Sequence, residues 1–297
     1  MGWRTLHIAN PARLSLRHDS LVLDNGDEYT IPLSDLSCVV IESRQCTLTS
    51  PLIDALAECG AVTYICDEKH LPTSILLPFH AHSRQAGVAR LQALWSEPFK
   101  KRCWQKIIHT KVTNQSEVIA QRDSETTDFL RRLRNHITSG DSGNIEAQAA
   151  RAYWSALFEN FARQQNENDI RNSALNYGYA IVRGMVARAL VGVGFLPAFG
   201  LHHCSELNAL NLADDMIEPF RPFVDVVVRE LMDEDGDELP FQLDMRYKTR
   251  LLELITMPCR FGAIETTLPY ACELAAESLL RATRAKDPSL IETVSFV

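Results

Sequence analysis

The sequence predicts an α+β protein of two domains, a small N-terminal β domain followed by a larger all-α domain. Short apolar runs broken by turn residues fill the first eighty residues, as strands require. From about Gln85 the apolar residues recur at intervals of three and four, as in packed amphipathic helices. The 297 residues suffice for two such cores. We therefore predict a β domain over residues 1–80, a linker over residues 81–84 and a helical domain over residues 85–297.

The β domain is predicted from branched and aromatic runs that alternate with turn signals such as Asp24–Asp27. One helix interrupts the strands, with Ser50 as its N-cap, Pro51 at the first helical position and Gly60 just beyond its end. The predicted strands are Thr5–Ile8, Leu14–Leu16, Leu21–Leu23, Tyr29–Ile31, Ser37–Ile41, Ala61–Cys66 and Ser74–Leu77.

The helical domain is predicted from the three-and-four spacing and from capping signals. The predicted helices are Gln85–Trp95, Pro98–Gln121, Glu125–Thr138, Asn144–Phe161, Ile170–Val193, Ser205–Glu218, Phe220–Met232, Leu243–Met257 and Pro269–Ala285. The last dozen residues lie beyond these helices, and we expect a partner to order them.

The composition excludes several classes of protein. Hydrophobic residues make up 46% and charged residues 23%, as in soluble globular proteins. No basic-then-apolar signal segment opens the sequence, and the most apolar stretch, Ala180 to Leu201, is interrupted by Arg183 and Arg188. We therefore expect a cytoplasmic protein that does not bind a membrane. The eight cysteines form no CxxC pair, which favours buried free thiols over zinc or redox sites.

The net charge of −8 argues against nucleic-acid binding by bulk charge, but not against a local basic track. An acidic run over residues 233–238 carries part of the negative excess. Two basic clusters are candidates for a track, and each is equally well read as a solvated helix face. They are Lys100, Lys101, Arg102, Lys106 and Lys111, and Arg131, Arg132 and Arg134.

Four residues suit a hard divalent cation: Glu146, His203, Asp215 and Glu218. Glu146 follows a helix-start signal over residues 142–144, where ordinary helix-terminal glutamates also occur. Asp215 and Glu218 follow His203 by twelve and fifteen residues, and their own spacing predicts one helix face. Mg²⁺ and Mn²⁺ take oxygen ligands, and Mn²⁺ also accepts imidazole. This spacing suggests a site for phosphodiester chemistry, and the residues around it decide the matter.

The surrounding motifs resemble those of the CRISPR-associated integrase, the large subunit that inserts new spacers into a CRISPR array. The motif is HxxxxNxxNLADDxxEPFRP within residues 200–222, accompanied by NSALNYGYAIVR over residues 172–183 and by the opening MGWRT. The resemblance covers nearly the whole chain. The opening and the EPFRP variant resemble the branch built around a single large effector nuclease.

The resemblance implies a β-sandwich-like N-terminal domain and a helical domain that carries the metal site. It implies that Glu146, His203 and Glu218 are the catalytic residues and the ligands of Mg²⁺ or Mn²⁺. The family often has aspartate where Glu218 stands, which changes the reach of the ligand. Asp215 matches an acidic position near the metal that acts through water. His202 would be a core histidine or a neighbour of the site, since adjacent side chains on a helix or turn point about 100° apart.

The NYGY segment, residues 172–183, has two interpretations. Its amides and tyrosines are either buried packing or groups that orient His203 or a phosphate.

The implied reaction is attack by the 3′-hydroxyl of a short DNA fragment on a phosphodiester at the ends of the repeat. Hydrolysis follows when water replaces the hydroxyl. The implied assembly is a homodimer. The strands of the β domain are short and few and their exposed edges invite pairing, so we expect dimerisation to involve residues 1–80. Two such dimers clamp a dimer of a small companion adaptation subunit in a heterohexamer. The implied DNA partners are a double-stranded fragment and leader-repeat DNA. The two basic clusters make Lys100, Lys101, Arg131 and Arg132 the candidate DNA contacts. Contact with the effector nuclease is left open.

Two rival functions remain at this stage. One is a stand-alone structure-specific nuclease that uses the same metal, which strand-transfer products would distinguish from an integrase. The other is a non-catalytic helical scaffold of an adaptation complex, which would be indifferent to the loss of Glu146.

Overall fold

The computed structural model describes residues 2, 4–78, 83–164, 169–236 and 238–297. Within them the chain forms two compact units, which we call unit 1 (residues 1–83) and unit 2 (residues 84–297). Residues 81 and 82 of the predicted linker lie outside the described residues. So do residues 1 and 3 of the opening motif and residue 237 of the acidic run.

Unit 1 contains two four-stranded sheets and one helix. The first sheet has the order β1-β5-β7-β8, in which only the β7–β8 pair is antiparallel. The second has the order β4-β3-β2-β6, with a short parallel β6 beside β2. The elements are β1 (Arg4–Ile8), β2 (Arg13–Arg17), β3 (Ser20–Asp24), β4 (Glu28–Pro32), β5 (Leu36–Ile41), β6 (Thr47–Leu48), α1 (Ser50–Glu58), β7 (Val62–Cys66) and β8 (Pro72–Leu76).

One apolar cluster joins both sheets of unit 1 to α1. It contains Leu14 from β2, Val39 from β5 and Leu52 from α1, each fully buried. Alternation of apolar and polar residues along the strands places these side chains on the inner faces. The predicted β domain with one helix is confirmed at this level.

The predicted start of α1 is wrong by one residue. Thr49, not Ser50, has the extended backbone of an N-cap, and Ser50 is already helical. Pro51 lies in the first turn, where its missing N–H costs nothing. Gly60 follows the helix with φ of +93°, a conformation that glycine adopts without steric cost.

Unit 2 is mainly helical, and most of its helices lie where the periodicity predicts them. They are α2 (Gln85–Ala93), α3 (Glu97–Ile119), α4 (Ser124–Leu133), α5 (Ile145–Leu157), α6 (Ile170–Gly192), α7 (Asn211–Met216), α8 (Arg221–Asp235), α9 (Met245–Leu252) and α10 (Leu268–Ala285). Across the described residues, every helix falls short of the length or apolar character that a bilayer-spanning helix requires.

Unit 2 also contains a three-stranded sheet, so the prediction of an all-α domain is wrong in this detail. The strands are β9 (Pro258–Phe261), β10 (Ile264–Thr267) and β11 (Val294–Ser295), in the order β10-β9-β11. These strands are too short for the alternation of inward and outward side chains to be recognised in the sequence, so they could not be distinguished from turns.

The C-terminal segment packs on unit 2 itself, which corrects the expectation that a partner orders it. Val294 is fully buried, and the ring of Phe296 stacks on Phe223 at 4.1 Å. The side-chain amide of Asn114 on α3 donates to the carbonyl oxygens of Val294 and Pro219, at 3.0 and 2.8 Å. Helix α3 thus ties this segment to the turn that follows α7.

Candidate functional site

The segment before α7 is a hydrogen-bonded loop, although a helix was predicted from Ser205 to Glu218. The side-chain amide nitrogen of Asn211 donates to the carbonyl oxygens of Ala198 and Ser205, both at 2.9 Å. The side-chain oxygen of Asn208 accepts from the backbone N–H of Leu210. Asparagine side chains that bind nearby backbone compete with helical hydrogen bonds, so α7 is confined to Asn211–Met216.

Asp215 holds this loop in shape. It is fully buried, and its carboxylate accepts from the backbone N–H groups of Leu201, His202 and His203. It also lies 2.8 Å from Nδ1 of the His203 ring. The loop passes so close to Gly200 that an added Cβ would lie 2.3 Å from the His203 carbonyl oxygen.

The contact with Asp215 fixes the chemistry of His203. In the neutral imidazole, Nδ1 donates to the carboxylate and Nε2 keeps the lone pair. This hydrogen bond raises the pKa of His203, against burial, which would lower it. His203 is therefore oriented as a ligand or proton carrier through Nε2.

His202 has a different environment from His203. Its ring stacks on Trp104 at 4.2 Å with an interplanar angle of 3°, while His203 meets the same indole edge-on at 5.8 Å. The structure thus places His202 beside the candidate site, on an aromatic platform from α3.

Glu146 lies in the first turn of α5, where the start signal predicts it. The helix is capped by Asp141, whose carboxylate accepts from the backbone N–H groups of Ile145 and Glu146, each at 2.9 Å. The cap therefore comes from Asp141 and not from the side chain of Asn144.

Glu146 and Glu218 meet at one ammonium group. Nζ of Lys111 on α3 lies 2.6 Å from Oε1 of Glu146 and 2.6 Å from Oε2 of Glu218. The other oxygen of Glu218 accepts from Nε of Arg221 at 2.9 Å. Burial alone would raise the pKa of Glu218, but Arg221 and Lys111 outweigh it and hold this pKa at about 2.

The predicted shared helix face of Asp215 and Glu218 is wrong. Helix α7 ends at Met216, and Glu218 begins a short 3₁₀ turn before Pro219. Asp215 binds the loop of His203, while Glu218 binds Lys111 and Arg221. The two carboxylates are therefore neutralised by separate sets of partners.

Another buried carboxylate, Asp225, lies on α8 near Glu218. It accepts hydrogen bonds from the hydroxyls of Tyr153 and Tyr179. The guanidinium groups of Arg163 and Arg221 lie 5.4 and 4.6 Å from the ring centre of Tyr179. A cavity of about 150 Å³ is lined by residues of this cluster together with Lys111 and Glu218.

Sequence reasoning missed this charged cluster. Lys111 was assigned to a surface basic cluster, but its side chain is only 12% exposed. Arg221 belongs to the EPFRP motif, which could have singled it out. Asp225 and Arg163 carry no local signal, because they meet only in the folded unit.

The NYGY segment lies on α6 and is largely buried. Asn172 and Asn176 both accept from Arg163, at 2.8 and 2.6 Å. Tyr179 donates to Asp225. These contacts make the segment part of the buried packing, the first of the two predicted interpretations.

Among the described residues, no three histidine, cysteine, aspartate or glutamate side chains form a preformed set of metal ligands. The carboxylates nevertheless suit a hard cation, because Glu146 and Glu218 already converge on one positive charge, the ammonium of Lys111. Oε2 of Glu218 is buried, and the ammonium of Lys111 lies 2.6 Å from it. An oxygen of this kind matches the needs of Mg²⁺ or Mn²⁺.

A larger cavity of about 580 Å³ opens beside His203. Its lining includes Phe199, which is exposed, and Lys100 from α3. The remaining predicted DNA contacts lie at the surface of α3 and α4. Lys101 and Arg132 are exposed, and Arg131 pairs with Glu117 at 3.2 Å.

Comparison with known proteins gives consistent matches. The family model "CRISPR associated protein Cas1" matches residues 6–237. The CRISPR-associated endonuclease Cas1 of Neisseria meningitidis serogroup C (strain 8013) is 46% identical over 237 residues, which are 79% of this chain and 77% of the relative.

Two solved structures share the fold. A casposase bound to its integration product superposes with a TM-score of 0.76 at 19% identity, covering 96% of this chain and 92% of that one. A Cas6-RT-Cas1–Cas2 complex gives the same TM-score at 19% identity and covers 98% of this chain. The match spans about a third (36%) of that longer chain.

Proposed function

The chain belongs to the Cas1 family of CRISPR-associated proteins, and on this premise we propose that it integrates DNA by means of a divalent cation held by Glu146, His203 and Glu218. Cas1 is the spacer-acquisition integrase of CRISPR systems, and this chain is a DNA endonuclease and integrase of CRISPR adaptation. The observation that supports the site is the convergence of Glu146 and Glu218 on one buried cationic group, Lys111 Nζ, at 2.6 Å from each.

Each side chain has a distinct task in this proposal. Glu146 and Glu218 supply the carboxylate oxygens, and His203 supplies Nε2. Asp215 keeps the lone pair on that nitrogen by accepting from Nδ1. Arg221 holds Oε1 of Glu218 and leaves Oε2 for the cation. When bound, Mg²⁺ or Mn²⁺ supplies the positive charge that polarises a phosphate and makes a DNA 3′-hydroxyl easier to deprotonate.

The nucleophile is then the 3′-hydroxyl of the DNA fragment, and the leaving group is a 3′-oxygen of the target strand. The same residues support hydrolysis when water takes the place of that hydroxyl. Because the target is DNA of the cell, we also propose a cytoplasmic location.

We further propose a homodimer formed through residues 1–80, two of which bind a dimer of a Cas2-like companion. The match to a Cas6-RT-Cas1–Cas2 complex supports a companion of this type. Unit 1 has sheet edges at β1, β8, β4 and β6 that another chain could extend. Light scattering should then give about twice 33.4 kDa for the isolated chain. A fragment that lacks residues 1–80 and still dimerises would move the interface to unit 2.

A strand-transfer assay tests the proposed site. A short duplex with free 3′-hydroxyls, a supercoiled leader-repeat target, the companion subunit and Mn²⁺ should yield joined products. Glu146→Ala, His203→Ala and Glu218→Gln should each abolish them while the circular-dichroism signal of the helices persists. The losses should be non-additive, as for residues that act as one unit.

Two further variants calibrate the assay. Glu265→Ala, at an exposed ion pair with Arg260 in unit 2, should leave integration unchanged. His202→Ala should reduce it only mildly. Cleavage without joined products would favour the stand-alone nuclease, and full activity of Glu146→Ala would favour the scaffold.

A further inference from the structure

Lys111 is the most deeply placed cation at the candidate site. It lies in the middle of α3, and its ammonium reaches Glu146 on α5 and Glu218 on the turn after α7. Its side chain is 12% exposed, and that of Glu218 is 6% exposed. A lysine so far from water is retained only where carboxylates compensate it.

The two carboxylates depend on this ammonium in return. Glu146 accepts a hydrogen bond from it at 2.6 Å. Oε2 of Glu218 lies 2.6 Å from the same charge. Without a cation between them, these two carboxylates, one buried and the other 27% exposed, would repel each other.

Arg221 does not share this position. It binds Oε1 of Glu218, the oxygen that faces away from Lys111, and stacks over Tyr179. Arg221 can therefore stay in place while the ammonium leaves. Lys111 also lines the cavity of about 150 Å³ that Gln115, Trp154 and Asp225 help to form, so polar space adjoins its present position.

We propose that Lys111 is the resident counter-cation of the metal-free site, and that the divalent cation must displace its ammonium from Glu146 and Glu218. This inference rests on the proposed function. It makes Lys111 a positioning residue that holds the two carboxylates in place before the divalent cation binds, and that sets a limit on metal affinity. Metal binding is then an exchange of one cation for another, and not the binding of an ion to a preformed set of free ligands.

Metal affinity in the isolated full-length chain tests the exchange. Mn²⁺ binding, followed by electron paramagnetic resonance of the free ion, should be at least about tenfold tighter in Lys111→Met, because a competing unit charge is gone. The metal-free variant should melt at a lower temperature than the wild type. It should also gain more in melting temperature from Mn²⁺.

Lys106→Met is the matched control. Lys106 lies on the same helix and donates to the carbonyl oxygens of Ser289 and Ile291, and it pairs with neither Glu146 nor Glu218. This variant should lose thermal stability and keep the wild-type Mn²⁺ affinity. Wild-type or weaker affinity in Lys111→Met would overturn the proposal, whereas a wild-type chain that binds no Mn²⁺ would refute the proposed metal site instead.

A measurement on the wild-type chain decides the matter if Lys111→Met does not fold. Acetylation by acetic anhydride, mapped by mass spectrometry, should be slow at Lys111 without metal and several-fold faster with Mg²⁺. Once the lysine has lost its carboxylate partners, it gives up its proton more readily, and the neutral amine is the group that attacks the anhydride. Exposed Lys101 should react equally in both conditions. The proposal would be overturned if Lys111 reacted equally slowly without Mg²⁺ and at Mg²⁺ concentrations that saturate the site. That result would show that the ammonium stays in place when the metal binds.

Discussion

Unit 1 and unit 2 differ in how much charge they bury. The core cluster of unit 1 is apolar throughout, and an ion pair such as Arg17–Glu28 lies at its surface with both side chains 53% exposed. Unit 1 also buries the carboxylate of Glu42, which pairs with His7 and His70 outside that cluster. Unit 2 places Asp215, Glu218 and Asp225 at 5% exposure or less. The difference is one of degree: unit 1 is stabilised mainly by apolar packing, while unit 2 keeps more of these costly charged groups in its interior.

Buried charge is weak evidence for stability, since apolar replacements are often no worse. Its presence in unit 2 is better explained by function, because the charges come in compensated sets around the candidate site. Glu218 lies between Lys111 and Arg221, and Asp225 lies beneath two tyrosine hydroxyls. We therefore expect unit 2 to be sensitive to the removal of single charges and unit 1 to the creation of cavities.

The largest expected effect comes from Glu218→Ala. It leaves the ammonium of Lys111 and the guanidinium of Arg221 without their common partner in a buried place. The free energy of unfolding, measured by urea titration with a chelator present, should fall by about 3–5 kcal/mol. Glu253→Ala, which removes a half-exposed carboxylate paired with Arg250, is the control and should change little. Equal effects of the two variants would show that the burial of Glu218 adds nothing to its cost, and this would remove the basis for the expected sensitivity of unit 2.

The counterpart in unit 1 is Leu14→Ala. Leu14 is fully buried on β2, and its removal should cost about 2–4 kcal/mol through lost burial and a cavity. Hydrogen exchange should accelerate in the strands of unit 1, and the cost should be the same at pH 4.5 and pH 7, because no titrating group is removed. A loss that varies with pH would mean that unit 1 also depends on buried charge.

A smaller effect concerns pH and Asp225. Burial raises the pKa of Asp225 to about 6, although hydrogen bonds from Tyr179 and Tyr153 oppose the rise. The folded chain therefore binds this proton more tightly than the unfolded chain, whose aspartate titrates near 3.8. The carboxyl's contribution to stability is fully present below about pH 4 and declines as the pH rises to about 6. In urea titrations, the free energy of unfolding of the wild type should fall between about pH 4 and about pH 6. Asp225→Asn should remove roughly 2 kcal/mol of that fall.

Glu218 gives the opposite dependence and provides the check. Its pKa of about 2 lies below the ordinary 4.5, so its contribution is present above pH 4.5 and is lost as the pH falls toward 2. A decline between pH 4 and 6 that persists unchanged in Asp225→Asn would assign the effect to another group.

The smallest effect is expected at the surface of unit 2. Lys101 and Arg132 are exposed, and Lys101→Glu or Arg132→Glu should weaken DNA binding for all sequences alike. The slope of log affinity against log salt should flatten by about one unit for each lost phosphate contact. Stability should not change, unlike in Glu218→Ala. An unchanged slope would identify these residues as solvated helix faces.

Much of this organisation can be predicted from the sequence because it is local. A helix start next to Glu146 follows from a local start signal, although the cap itself comes from Asp141, and the strands of unit 1 follow from apolar runs between turns. The motif around His203 and Glu218 singles out both residues and their neighbour Asp215. These features need only nearby residues or a recognisable pattern.

The rest depends on contacts between distant segments. Lys111 lies 35 positions before Glu146, and nothing near it distinguishes a buried counter-cation from a surface lysine. The loop before α7 was predicted as helix because the binding of Asn211 to Ala198 and Ser205 has no periodic signal. The pairing of β11 with β9 joins segments more than thirty residues apart, so the short strands could not be recognised alone.

The bond from Asn114 to Val294 has a consequence for the timing of biosynthesis. It spans 180 positions of the sequence, and the sheet partner of β9 belongs to the same late segment. At about 5–20 residues per second, a ribosome needs roughly 10–35 s to make the intervening chain. The β strands of unit 1 have all their partners by Leu76, so they can assemble long before the helical core receives its last strand. During that interval unit 1 of the nascent chain can be folded while unit 2 is still incomplete. The apolar surface available to a chaperone is then at its largest.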